Sequence, residues 1–125
     1  MTTRRTPGQK GREEEERACR YLLTQGFKTR ERNYRCRHGE IDLIMDDGDT
    51  LVFIEVRYRA HPRFASGAES IDHRKQAKLV ATAQYYLQSH RDLARRPARF
   101  DVIALAPGDE LSGIEWIKNA FLAEA

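Results

Sequence analysis

The chain has 125 residues, the size of one domain that buries roughly two-thirds of its unfolded surface without staples. Hydrophobic residues make up 40% and charged residues 33%, too apolar for a disordered chain and too charged for a membrane one. The net charge of +3 is segregated: residues 1–39 hold 11 basic and 5 acidic groups, residues 40–56 hold 6 acids and no base, residues 57–99 hold 10 bases and 3 acids, and residues 100–125 hold 5 acids and 1 base. No apolar run approaches the roughly 18 residues of a spanning helix, and MTTRRTPGQKGREEEER lacks the apolar core of a signal peptide, so the expected location is the cytoplasm, with no membrane contact. Cys19 and Cys36 are too few for a disulfide framework and read as free thiols.

Residues 1–10 are polar and aperiodic and read as a flexible tail ahead of one domain over 11–125. Glu15, Ala18, Cys19, Leu22 and Leu23 recur at helical spacing, with Gly26 as a stop, predicting a helix over about 12–25. FKTRERNY at 27–34 alternates loosely and suits a twisted or edge strand. Ile41, Leu43 and Met45 share one face of the next strand, and Val52, Ile54 and Val56 one face of a third, joined by DDGDT. Pairing these faces calls for a register that opposes Met45 to Val52, Leu43 to Ile54 and Ile41 to Val56, with a four-residue loop Asp47-Gly48-Asp49-Thr50. A loop, RAHPRFASGAES, leads to a second helix from the N-cap Asp72 to near His90. RDLARRPAR then connects to a buried strand FDVIALA, and IEWIK makes a short last strand. The order is αβββαββ, an α/β fold with a parallel pair flanking the second helix.

The hairpin register places Asp42 opposite Glu55 and Glu40 opposite Arg57. Facing carboxylates about 5 Å apart repel and need a compensating charge. One answer is an arginine bridge through Arg57; the other is a divalent cation, for which carboxylate oxygens are hard ligands suited to Mg2+ or Mn2+. The basic flanks read either as a solvated arginine-rich surface or as a polyanion-binding face; 17 of the 22 bases are arginine, whose fork matches phosphate.

The Asp42 to Arg57 stretch resembles the PD-(D/E)xK nuclease superfamily. GEIDLI at 39–44, LVFIEVRYR at 51–59, DHRKQAKLVATAQYYL and RFDVIAL resemble, more closely, the YraN family of small bacterial proteins. The resemblance covers roughly residues 11–106. It implies the restriction-endonuclease-like three-layer fold, a mixed central sheet flanked by helices, and metal-dependent endonuclease activity on DNA in repair, recombination or DNA uptake. It assigns metal binding to Glu15, Asp42 and Glu55, and catalytic roles to Asp42, Glu55, Arg57 and Gln76. Arg35, Arg37, Arg59, Lys75 and Lys78 are the expected nucleic-acid contacts. Arg57 stands where the superfamily has lysine, and Glu14 where relatives often have glycine. Lysine can polarise an attacking water; arginine stabilises charge without giving up a proton.

Cys36 and His38 form only a fragment of a zinc pattern, and Ser66 has no nucleophile-elbow context. Tyr34, Tyr58, Tyr85 and Tyr86 read as sheet and helix packing or as base-stacking rings among arginines. Trp116 and Phe121 read as core or as a self-association face. Two further readings accompany the nuclease: a nucleic-acid-binding module without turnover, and an adaptor docking on a larger DNA-processing protein. A two-fold homodimer would suit an enzyme that cuts both strands of a duplex.

Overall fold

A computed structural model of the chain describes residues 7–58, 71–107 and 113–122. Its elements in order are α1 (Pro7–Thr24), β1 (Lys28–Cys36), β2 (Gly39–Asp47), β3 (Thr50–Tyr58), α2 (His73–Ser89), β4 (Ala98–Leu105) and β5 (Ile114–Phe121). The order expected from the sequence is the order observed. Helix α1 begins at Pro7, so residues 7–10, assigned to the tail above, are helical. Proline suits a first helical turn, where its N–H would have no intrahelical partner and its φ is already helical.

The C-terminus of α1 closes on glycine. Gly26, at φ 92°, donates to Leu23 O at 3.1 Å, and Phe27 N donates to Leu22 O at 3.1 Å. This is the Schellman pattern, and its apolar contact joins the buried Leu22 and Phe27. At the start of α2 the predicted N-cap is present: Asp72 Oδ1 accepts from Lys75 N at 2.8 Å.

The five strands form one sheet in the order β1-β2-β3-β4-β5, parallel between β3 and β4 and antiparallel elsewhere. The β2–β3 register pairs Met45 with Val52 and Leu43 with Ile54, as the apolar pattern requires. Asp47 also pairs with Thr50, so the turn is the two residues Gly48-Asp49 rather than the expected four. Gly48 at φ 60° lets the tighter hairpin close. Strand β5 runs past the expected IEWIK to Phe121, whose ring stacks on Phe100 with centroids 4.8 Å apart.

Alternate residues of the sheet feed two cores, which makes three layers. Leu43, Met45, Val52, Ile54, Ile103 and Leu105 pack with Ala18, Cys19 and Leu22 of α1. Ile44, Leu51, Phe53, Phe100 and Val102 pack with Leu79, Ala83 and Tyr86 of α2. Each fully buried Leu or Ile contributes about 1.5–3 kcal/mol relative to exposure. Trp116 is a packing residue, edge-on to Phe27 at 5.5 Å, with its Nε1 donating to Asp101 Oδ2 at 3.0 Å. This mixed sheet with a helix on each face has the architecture expected of the restriction-endonuclease-like class. No helix among the described residues is long and apolar enough to cross a membrane.

Candidate metal centre

The site is built where β2 and β3 part. Their pairing runs from Asp47↔Thr50 to Leu43↔Ile54. Beyond that point β2 stays with β1 through Ile41, Glu40 and Gly39, while β3 stays with β4 through Glu55, Val56, Arg57 and Tyr58. Val56 N then donates to the side chain of Asp42, at 2.8 Å from Oδ2, instead of to a backbone carbonyl of β2. The expected pairing of Ile41 with Val56 does not form: Ile41 joins the α2-side core and Leu43 the α1-side core. Across from Asp42 in the β1 register stands Asn33, at φ 54°. Strand alternation is interrupted here on both strands, and this turns Asp42 toward α1.

Four carboxylates meet in the opening. Single oxygens of Glu15, Glu40 and Asp42 all lie within 4.8 Å of one another. Glu15, Asp42 and Glu55 line a common cavity of about 330 Å³ with Val56 and Tyr58. Burial first, then the charge of Asp42 and a hydrogen bond with it, push the Glu55 carboxyl up to about 8, against the lowering influence of Lys75. Glu15 is pushed up to about 7, again by burial first and Asp42 next, while a hydrogen bond from the Asn33 side chain acts the other way. A cluster that holds protons at neutral pH is short of positive charge.

The structure brings Glu15, Asp42 and Glu55 together, as the sequence implied, and adds Glu40. The sequence offered a signal for Glu40, since positions two apart on a strand share a face. That reading opposed Glu40 to Arg57; the observed partner is Arg35 of β1, Nε to Oε2 at 3.2 Å, because Glu40 pairs with β1 beyond the parting. Arg57 is half-buried opposite Ala104, on the Glu55 face of β3 by strand alternation. Gln76 is not brought to the acids: its Nε2 donates to Ile71 O at 3.0 Å, and it lines a separate groove with His73 and Val80. The α2 residue at the acids is Lys75, whose Nζ lies 3.3 Å from Glu55 Oε2. Lys78 and Arg37 are exposed. Arg59 lies outside the described residues.

The donor set fits a hard divalent cation. Glu15 Oε2 and Glu55 Oε2 are buried without an aligned hydrogen bond, the latter having Lys75 only as an ion pair. The three side chains that converge among the described residues, Glu15, Glu40 and Asp42, all offer carboxylate oxygens, the chemistry preferred by Mg2+ and Mn2+ rather than by softer metals.

Comparison with known proteins agrees with this layout in extent. The model of the uncharacterised protein family UPF0102 matches residues 14–105, which span α1 to the end of β4. A UPF0102 protein of Pseudomonas paraeruginosa is 47% identical over 123 residues, covering 97% of this chain and 98% of the relative. One from Stutzerimonas stutzeri is 48% identical over 111 residues, 89% of this chain and 92% of the relative. A third, from Nitrosococcus oceani, is 47% identical over 116 residues, 93% and 94% of the two chains. With Glu15, Asp42 and Glu55 all inside the matched region, the chain belongs to the UPF0102 family, the YraN family of the resemblance.

Proposed function

We propose that the protein is a divalent-metal-dependent nuclease that hydrolyses phosphodiester bonds of DNA. The observation that carries this reading is the convergence of Glu15, Glu40 and Asp42 within 4.8 Å, with Glu55 beside Asp42, at the parting of two strands. Asp42 and Glu55, with Glu15 and Glu40, would hold Mg2+ or Mn2+. Such an ion, when bound, polarises a phosphoryl oxygen and acidifies water.

The chain's own residues divide the remaining work. Val56 N fixes one oxygen of Asp42 and thereby orients the other. Lys75 brings to Glu55 the ammonium that position 57 lacks, and it can donate to a phosphate oxygen. Arg57, always charged, can stabilise negative charge building on the phosphate but cannot serve as a base. Arg35, Arg37, Arg59 and Lys78 supply the positive flanks for the polyanion.

Calorimetric titration of Mn2+ tests the site. The wild type is expected to bind near stoichiometrically and Asp42→Asn not at all. Linear, flapped and four-way-junction DNA should include at least one substrate cut in Mn2+, with cutting lost in Asp42→Asn and Glu55→Gln. Cutting that survives both substitutions belongs to a contaminant. Salt-sensitive DNA binding indifferent to metal, with no cutting, would replace the nuclease by a binding module.

A further inference from the structure

The acid cluster lies at one end of a line of side chains along α2. Lys75, Lys78, Thr82 and Tyr85 follow one another at three- and four-residue spacing and so share a face of the helix. Each meets the β1–β2–β3 side of the molecule. Lys75 touches Glu55, as above. Lys78 and Thr82 lie against Gly39, at φ 151°, so closely that a Cβ there would sit 3.0 Å from Thr82 Oγ1 and 3.8 Å from Lys78 Cβ. The close approach presses the turn between β1 and β2 onto α2 and carries His38 to Tyr85, ring centroids 5.7 Å apart and tilted by 60°.

This aromatic pair differs from the others in the protein. Tyr34 and Tyr86 pack edge to face with centroids 5.0 Å apart, and Tyr86 is buried in the α2-side core. Tyr85 keeps 38% of its surface in solvent, and His38 is exposed. Exposed Arg37 precedes His38, and exposed Lys78 lies two helical turns before Tyr85. At 1.5 Å per residue, Tyr85 stands about 15 Å along α2 from Lys75. Cations and open aromatic rings thus follow one another along the same face of α2, away from the carboxylates, with the buried Thr82 between Lys78 and Tyr85.

We propose that His38 and Tyr85 form a base-stacking platform for an unpaired stretch of the nucleic-acid strand that enters the acid cluster. The inference rests on the nucleic-acid reading above and adds a substrate class: DNA with a single-stranded segment next to the scissile phosphate. Duplex bases hide their faces in the stack, whereas a ring exposed among lysines and arginines is the chemistry that holds single strands without sequence preference. The exposed cations Arg37, next to His38 in the chain, and Lys78, two turns before Tyr85, supply positive charge for the flanking phosphates.

The test is fluorescence anisotropy in EDTA, so that no cutting intervenes, with a labelled single strand of about 12 nucleotides, a blunt duplex of the same sequence and an abasic strand of the same length. The wild type should bind the single strand more tightly than the duplex. Tyr85→Ala should weaken single-strand binding roughly 5- to 100-fold while changing abasic-strand binding less than about two-fold, and Tyr85→Phe should stay near wild type. His38→Ala, in an exposed turn, should show the same pattern with a smaller loss, and it carries the test if Tyr85→Ala misfolds. Equal losses on the normal and abasic strands, or no loss on either, would overturn the platform. Platform behaviour without Mn2+-dependent cutting would sink the nuclease reading alone, and cutting without a Tyr85 effect would sink the platform alone.

Discussion

The β2–β3 hairpin carries carboxylates at both ends and treats them in opposite ways. At the turn end, Asp46 accepts from Arg30 Nε at 2.8 Å and from Arg96 at 3.3 Å, and Asp47 accepts from Arg99 at 2.9 Å. Beside them Asp101, 1% exposed on β4, takes Arg99 Nε at 3.0 Å, Trp116 Nε1 at 3.0 Å and Asn119 N at 2.9 Å. At the parted end, carboxylates press on one another, and the Glu15 and Glu55 carboxyls rise to about 7 and about 8. As sequence, both ends belong to one acidic island over 40–56. At the turn end each of these acids meets a guanidinium, from Arg30 of β1, Arg96 ahead of β4 or Arg99 of β4; at the parted end Arg35 reaches Glu40 and Lys75 reaches Glu55, but four carboxylates share the opening. The acids matched by arginine at the turn end belong to the scaffold, and the crowded acids at the parted end are those the proposed function gives to a cation.

The strongest way to break this contrast is Asp101→Ala, which takes from Arg99 one of its two carboxylates, leaving it Asp47, and removes the acceptor of the Trp116 and Asn119 N–H groups. It is expected to cost about 3–5 kcal/mol by urea denaturation, and a loss under about 1 kcal/mol would show that the turn end is no better matched than the other. At the parted end the sign should reverse. Without metal, Glu55→Gln should stabilise the protein above pH 8 by on the order of 1–3 kcal/mol, because it removes a buried charge that is poorly compensated. A destabilisation there would mean that Lys75 already neutralises the cluster. The same groups set a pH slope. Unfolded, Glu15 and Glu55 ionise near 4.5, but folded they hold protons to about 7 and about 8, so the folded state binds more protons and stability falls as pH rises through that window. Thermal melts without metal from pH 5 to 8.5 should show the fall, and millimolar Mn2+ should flatten it while releasing protons measurable by calorimetry. The smallest effect belongs to Arg30→Met: its partner Asp46 keeps Arg96, so the loss should stay under about 1 kcal/mol and fade with added salt.

Much of this was legible in the residues. The element order, the hairpin register and the Asp72 cap follow from periodicity and side-chain chemistry, which act over a few neighbours. The hairpin pattern put Asp42 near Glu55 by opposing them directly; in the structure the paired register ends at Leu43↔Ile54 and the two acids meet just beyond it, with Glu15 implied by the resemblance. What escaped was set by breaks in regularity. Strict alternation puts Ile41 on the Leu43 face, and Asn33 at φ 54°, opposite Asp42, has no sequence signature strong enough to announce the break. Gln76 and Lys75 are adjacent on a helix, and only the packing of α2 on the sheet decides which of them reaches Glu55.

The bond from Val56 N to Asp42 Oδ2 gives position 42 two separable duties. The side chain is the stitch that replaces a missing rung between β2 and β3 and, under the proposed function, would also be a cation ligand. Asparagine can keep the stitch, since its amide oxygen accepts from the same N–H, while giving up the charge; alanine gives up both and leaves a half-buried donor bare, at about 1–3 kcal/mol. Under the proposed function, a variant that gave up metal binding at this position would still need a side chain able to accept that hydrogen bond to keep the rung.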